Sequence, residues 1–123
     1  MTRSVRLVLG VQGVYYVASG IWPLVNMDSF EFVTGPKADD WLVYTVGLLL
    51  VAIGASLITA VRLQQAGVAI CVLAFGTSLA LVAIEIFHVT AGEISVVYLL
   101  DAAVEIALAF ALAWTLLRAR SNA

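Results

Sequence analysis

The run from Ile94 to Leu117 is apolar except for two carboxylates, Asp101 and Glu105, set well inside it. At ~1.5 Å per residue such a run makes a helix of about 36 Å, enough to cross a ~30 Å hydrocarbon layer with some tilt. Glu105 then falls near the middle of the layer, where an ionisable side chain costs about 2.5–3.5 kcal/mol to insert. It is expected to face protein or water and not lipid, which orients the other helices around it. Three more apolar runs precede this one, Leu7 to Val25, Trp41 to Val61 and Gly67 to Phe87. With 63% of residues hydrophobic, 11% charged and a mean hydropathy of +1.09, the chain is far more apolar than a soluble domain. The expected fold is all-α: a polytopic membrane protein, a four-transmembrane-helix antiparallel bundle. It forms a single membrane domain over 1–123, with spans at about 7–25, 41–61, 67–87 and 94–117 and a polar outer loop at 26–40. A net charge of −2 gives no case for nucleic acid as a partner. The lone Cys71 excludes an intramolecular disulfide and a cysteine metal cluster.

Helix-contact signals recur along the spans. In the first, Gly10, Gly13, Val17 and Gly20 fall on one face, a smooth strip that lets a neighbouring helix come close, while Gln12, Tyr16 and Ser19 line another. Basic residues, an apolar stretch and the small residues Ala18, Ser19 and Gly20 also fit a signal peptide, but the run is read as a retained span. Trp22 and Pro23 suit an interface and a helix exit. Gly47 and Gly54 lie seven apart in the second span, and Ala103, Ala107 and Ala111 make the fourth small-sided enough for the bundle centre. The short link at 62–66 implies that the second and third spans are adjacent. Between the first two spans, Thr34-Gly35-Pro36 reads as a turn, Phe30, Phe32 and Val33 alternate with polar neighbours, which fits a short surface lid or amphipathic turn and equally a plain loop, and Asp39 or Asp40 suits an N-cap.

Charge sets the expected topology. Arg3, Arg6, Arg62, Arg118 and Arg120 lie at the ends that four alternating spans put on one side, and Lys37 lies on the other. The positive-inside rule then places both termini in the cytoplasm, and the expected location is a bacterial plasma membrane, multi-pass, with an acidic outer mouth.

The polar residues inside the spans are the candidate site. Cys71, Ser78 and Glu85 recur every seven residues, and His88 is three past Glu85, so Glu85 and His88 can meet Asp101 across a tight turn. Asp101 and Glu105 stack on one face about 6 Å apart, and Glu105, the deeper, is expected to be the neutral member. Three readings stay open. The carboxyls can fix helix packing by hydrogen bonds to the polar partners Gln12, Tyr16 and Ser78. Glu105, Asp101 and Glu85 can form a proton or cation path. His88 and Glu85 can form a Glu-x-x-His metal pair, although a di-iron centre wants the motif twice and bis-His haem ligation would need a second chain. No cofactor is expected. The sequence shows no nucleophile beside a base and no phosphate-binding loop, so an enzyme is not the expected class, beyond the acid–base chemistry that two carboxylates can offer a lipid-soluble substrate.

An Arg leading into Leu7-Val8-Leu9-Gly10, a Gly-rich first span, a polar loop with a turn, a Gly-rich second span and a Glu in the last together resemble the small DoxX-like four-helix bacterial membrane proteins. The resemblance implies an accessory or redox-associated membrane subunit. The first expectation for function is accordingly a scaffold or accessory subunit in the lipid bilayer, meeting a second copy or another membrane protein through its small-residue faces. The alternative is a proton- or cation-coupled small-solute transporter using Asp101 and Glu105.

Overall fold

The computed structural model describes residues 2–121, and the regular structure among them is all helical. Five helices follow in order among the described residues: α1 (Arg3–Val25), α2 (Met27–Thr34), α3 (Asp40–Arg62), α4 (Val68–Thr90) and α5 (Tyr98–Ser121). Four of them, α1, α3, α4 and α5, are long and apolar enough to cross a membrane. Met1, Asn122 and Ala123, the ends of the expected 1–123 domain, lie outside the described residues.

Local chemistry explains where the helices begin and end. The Thr2 hydroxyl accepts from the Val5 amide at 3.3 Å to open α1, and the Asn26 side chain accepts from the Ser29 amide at 3.0 Å to open α2. Asp39 occupies the cap position of α3, but its side chain makes no capping bond, contrary to the expectation for Asp39 or Asp40. The stretch 26–40 is a helix and a turn: α2 ends at Gly35, whose φ of 96° lies in the region that favours glycine. The last long helix starts at Tyr98 and not at Ile94, because the Ser95 hydroxyl accepts from the Val97 amide at 3.2 Å and holds the chain in a turn.

The closest packing joins α1 to α3. A Cβ added to Gly13 would lie 2.9 Å from the Gly54 carbonyl oxygen, and one added to Gly47 would lie 2.8 Å from that of Gly20. As numbering rises along α1 it falls along α3, and backbone touches backbone at two places seven residues apart. Gly10, expected on the same strip, has open space beside it.

Two packing expectations are corrected. The central helix is α1, not α5: it packs on α3, touches α2 and α5, and reaches α4 through a bond from Gln12 Nε2 to the Ala74 carbonyl at 2.8 Å. Its buried face runs Val5, Leu9, Gln12, Tyr16, Gly20 and Pro23 in one stripe. Although a short turn joins α3 to α4, the two make little contact; α4 packs instead on α5. Bare glycine lets α1 and α3 meet at backbone distance, whereas α3 and α4 stand apart.

At one end, the start of α1, the turn at 64–67 and Leu116 and Ala119 of α5 border a common recess, and the five arginines Arg3, Arg6, Arg62, Arg118 and Arg120 lie in the helix ends around it. Lys37 sits at the other end, over the rings of Phe30 and Tyr98.

Candidate functional site

Gln12, Tyr16, Ser78 and Glu105 form one buried polar layer contributed by α1, α4 and α5. Glu105 is 0% exposed, Ser78 0% and Gln12 and Tyr16 1% each. Glu105 Oε1 accepts from the Tyr16 hydroxyl at 2.7 Å and from the Ser78 hydroxyl at 2.9 Å. Gln12 Nε2 donates to Tyr16 at 3.0 Å and to Ser78 at 3.1 Å. The stripe that packs α1 against its neighbours thus carries the polar residues inward as well, since Gln12 and Tyr16 are one helical turn apart.

Above this layer, toward α2, lies a chamber of about 510 Å³. Its walls are mostly apolar, with Val46 and Leu50 from α3, Leu81 from α4 and Val97 from the approach to α5. Phe30, Val33 and Thr34 of α2 form its roof. Its polar groups are Tyr15, Tyr16 and Ser19 of α1, Thr34 of α2, Glu85 of α4, and Tyr98, Asp101 and Glu105 of α5, with the indole of Trp22 beside them. Such a volume falls in the ~300–1,000 Å³ range of small-molecule sites, as does the pattern of apolar walls with few convergent polar groups.

The three carboxylates named from the sequence therefore meet, and they are not equivalent. Asp101 is half-buried and accepts a hydrogen bond from the Tyr15 hydroxyl. Glu85, 5% exposed, lies against Asp101, and its Oε1 has no hydrogen-bond partner. The second oxygen of Glu105, Oε2, is also buried without a partner. Two orphaned carboxyl oxygens on one chamber are costly, because each forfeits the hydration it would have in water.

His88 is not part of this constellation. Its Nδ1 faces Glu93 Oε2 at 3.3 Å near the α4–α5 turn, where a basic side chain suits the helix C-terminus. Among the described residues no three His, Cys, Asp or Glu side chains are grouped so as to hold a metal ion. Cys71 is half-buried and unpaired to any cysteine.

Tyr15 was not among the residues singled out from the sequence. Its signal was its position three after Gln12, which brings it near the polar face of the same helix. The contribution of α2 had no comparable signal, since a roof over a chamber depends on how the loop folds back.

Together these features define an all-helical protein with four helices of membrane-crossing length around a carboxylate-floored chamber. No protein-family model matches the chain, and neither the curated proteins nor the solved structures yield a match.

Proposed function

We propose that this chain is a multi-pass membrane protein, an antiparallel four-span bundle with both termini cytoplasmic, acting as a proton- or cation-coupled carrier of a small solute. Asp101 and Glu105 are its exchanging carboxylates. The observation that carries the reading is the state of Glu105: it borders the chamber fully buried, with one oxygen held by Tyr16 and Ser78 and the other free. A carboxyl kept only for packing would have both oxygens satisfied, whereas one that exchanges a proton or cation needs an open lone pair facing an accessible space.

The scaffold reading draws less support. The glycines that suggested an external contact face, Gly13, Gly20, Gly47 and Gly54, are spent on the internal seam between α1 and α3. Membrane embedding is supported by large apolar side chains exposed on the outside of the helices, such as Leu7 at 67%, Leu48 at 60% and Phe110 at 68% exposed. Four spans are few for a complete path, so the working unit in this reading is a homo-oligomer. Kinship with DoxX-like proteins belongs to the same proposal and rests on the apolar pattern alone.

The test is infrared difference spectroscopy of the reconstituted protein. A carboxyl band that titrates with external pH, shifts in D2O and disappears in Glu105→Gln is the expected result. A band that neither titrates nor exchanges, in a protein whose Glu105→Gln variant folds normally, would overturn the carrier reading.

A further inference from the structure

We infer that the chamber takes an amphiphilic organic cation, an ammonium head on a compact apolar body, with the head among Glu85, Asp101 and Glu105 and the body along the wall formed by α3 and Leu81. The inference rests on the carrier reading and names its substrate class.

Four observations converge. First, the two buried oxygens without partners, Glu85 Oε1 and Glu105 Oε2, belong to side chains that are 5% and 0% exposed and border the same cavity. They are acceptors awaiting a donor, and an ammonium group supplies up to three. Second, among the described residues none that lines the chamber is basic, so carboxylates from α4 and α5 border it with no basic side chain in the lining. Lys37 stands over the lining rings of Phe30 and Tyr98, and its Nζ is already engaged there: it donates to the carbonyls of Gly35 at 2.7 Å and Thr34 at 3.1 Å. Third, Pro23 has no N–H to give the Ser19 carbonyl four residues back, which frees one helical carbonyl in the part of α1 that borders the chamber. Fourth, the rest of the lining is aliphatic and aromatic, with the rings of Tyr15 and Trp22 beside the carboxylates, while those of Phe30 and Tyr98 already carry Lys37.

Anions and zwitterions fit poorly. A carboxylate or a phosphate would meet three acidic side chains and no basic one, and a phospholipid headgroup carries its phosphate next to its amine. A bare inorganic cation would satisfy the free oxygens but leave the apolar wall empty. The groups facing the head are, by helix, Tyr15 and Tyr16 of α1, Glu85 of α4, and Tyr98, Asp101 and Glu105 of α5; α3 contributes no titratable group to the lining.

The experiment is calorimetric titration of the full chain in nanodiscs with three probes of one shape: 4-phenylbutylammonium, the neutral 4-phenylbutanol and the anionic 4-phenylbutanoate. Binding of the ammonium at least tenfold tighter than the alcohol, with no binding of the anion, is expected. Excess sodium should not displace it, and nanodiscs rich in phosphatidylethanolamine should not weaken it. In Glu85→Gln or Glu105→Gln the preference for the ammonium over the alcohol should fall about tenfold. Leu81→Trp, which fills the wall and removes no carboxylate, should weaken ammonium and alcohol alike, and keeps the test alive if an acidic variant misfolds.

Equal affinity for ammonium and alcohol overturns the inference, as does displacement by sodium or by the phosphatidylethanolamine headgroup. If the infrared band of Glu105 titrates while the ammonium fails to bind, the substrate class alone is wrong. If the band does not titrate, the carrier reading itself has failed.

Discussion

The Ser78 hydroxyl joins three side chains from two other helices: it donates to Glu105, accepts from Gln12 Nε2 at 3.1 Å and lies 3.2 Å from the Tyr16 hydroxyl. Interhelical hydrogen bonds away from water contribute ~0.6 kcal/mol on average and up to about 1.7, because the unfolded chain finds partners of its own. Ser78→Ala is therefore expected to destabilise the bundle by about 1 kcal/mol, seen as a lower melting temperature in detergent. It should lose more than Ser56→Ala, whose hydroxyl bonds only the Ala52 carbonyl on its own helix at 2.8 Å. Equal losses would mean that the buried layer adds nothing to helix association. The polar members of this layer were readable from the sequence, since Gln12, Tyr16, Ser78 and Glu105 are polar residues inside apolar runs and must find one another. Which oxygen of Glu105 is left open was not, because that depends on the angle at which α5 meets α1 and α4.

Among the elements, the seam between α1 and α3 is the most sensitive to a single methyl. A Cβ at Gly54 would lie 2.5 Å from the Gly13 carbonyl oxygen and 2.8 Å from Val17 Cγ2, and the backbone atom has nowhere to go. Gly54→Ala should cost about 1–3 kcal/mol of stability, the usual penalty for overpacking, and should disturb the chamber wall that α3 supplies. Gly76→Ala, with nothing within 4 Å, should stay within about 0.5 kcal/mol of wild type in the same thermal denaturation. The seven-residue spacing of these glycines was legible in advance, and their pairing follows from it once α1 and α3 run in opposite directions.

The roof helix α2 carries a titratable contact outside the spans. Glu31 is held above the ordinary carboxylate range, first by its hydrogen bond with Asp40 at the start of α3, then by desolvation and the like charge of Asp40. Because its value is higher in the folded state than in the unfolded one, its stabilising contribution is complete at pH below the unfolded carboxylate value and fades as pH rises through the raised one. Docking of α2 should thus loosen as pH rises from the acid side toward neutrality. In a Trp41→Phe, Trp114→Phe background, the emission of Trp22 reports this directly, since its ring packs edge-on against Phe30 at 5.3 Å and its Nε1 donates to Ser29 at 2.9 Å. Glu31→Gln should abolish the pH response; an unchanged response would assign it to another group.

At the scale of the whole molecule, the two ends of the bundle differ in kind. One end gathers the arginines and is plugged by the core of Val5, Leu9, Leu57, Ala74 and Leu112; the other holds the chamber, its roof and most of the acidic residues. In the proposed carrier reading, a solute in the chamber meets this apolar plug beneath the Gln12 layer, so passage would require the plug to open while the roof is shut. Single cysteines at Gln64 and Ala38 in a Cys71→Ser background should be labelled by a membrane-impermeant maleimide from opposite sides, with Ala38 accessible from outside intact cells. Labelling of both from one side would overturn the proposed topology.

The sequence by itself determined the helical class, the number of long apolar helices, the glycine seam and the polar residues obliged to meet inside it, because each follows from spacing along one helix or from the cost of an unsatisfied group. Only the tertiary structure decided that α1 and not α5 is central, that α3 and α4 stand apart around a chamber, that α2 roofs it, and that His88 turns to Glu93. These depend on how close two surfaces approach and at what angle, which is set by the fit of side chains from distant parts of the chain and leaves no period in the sequence.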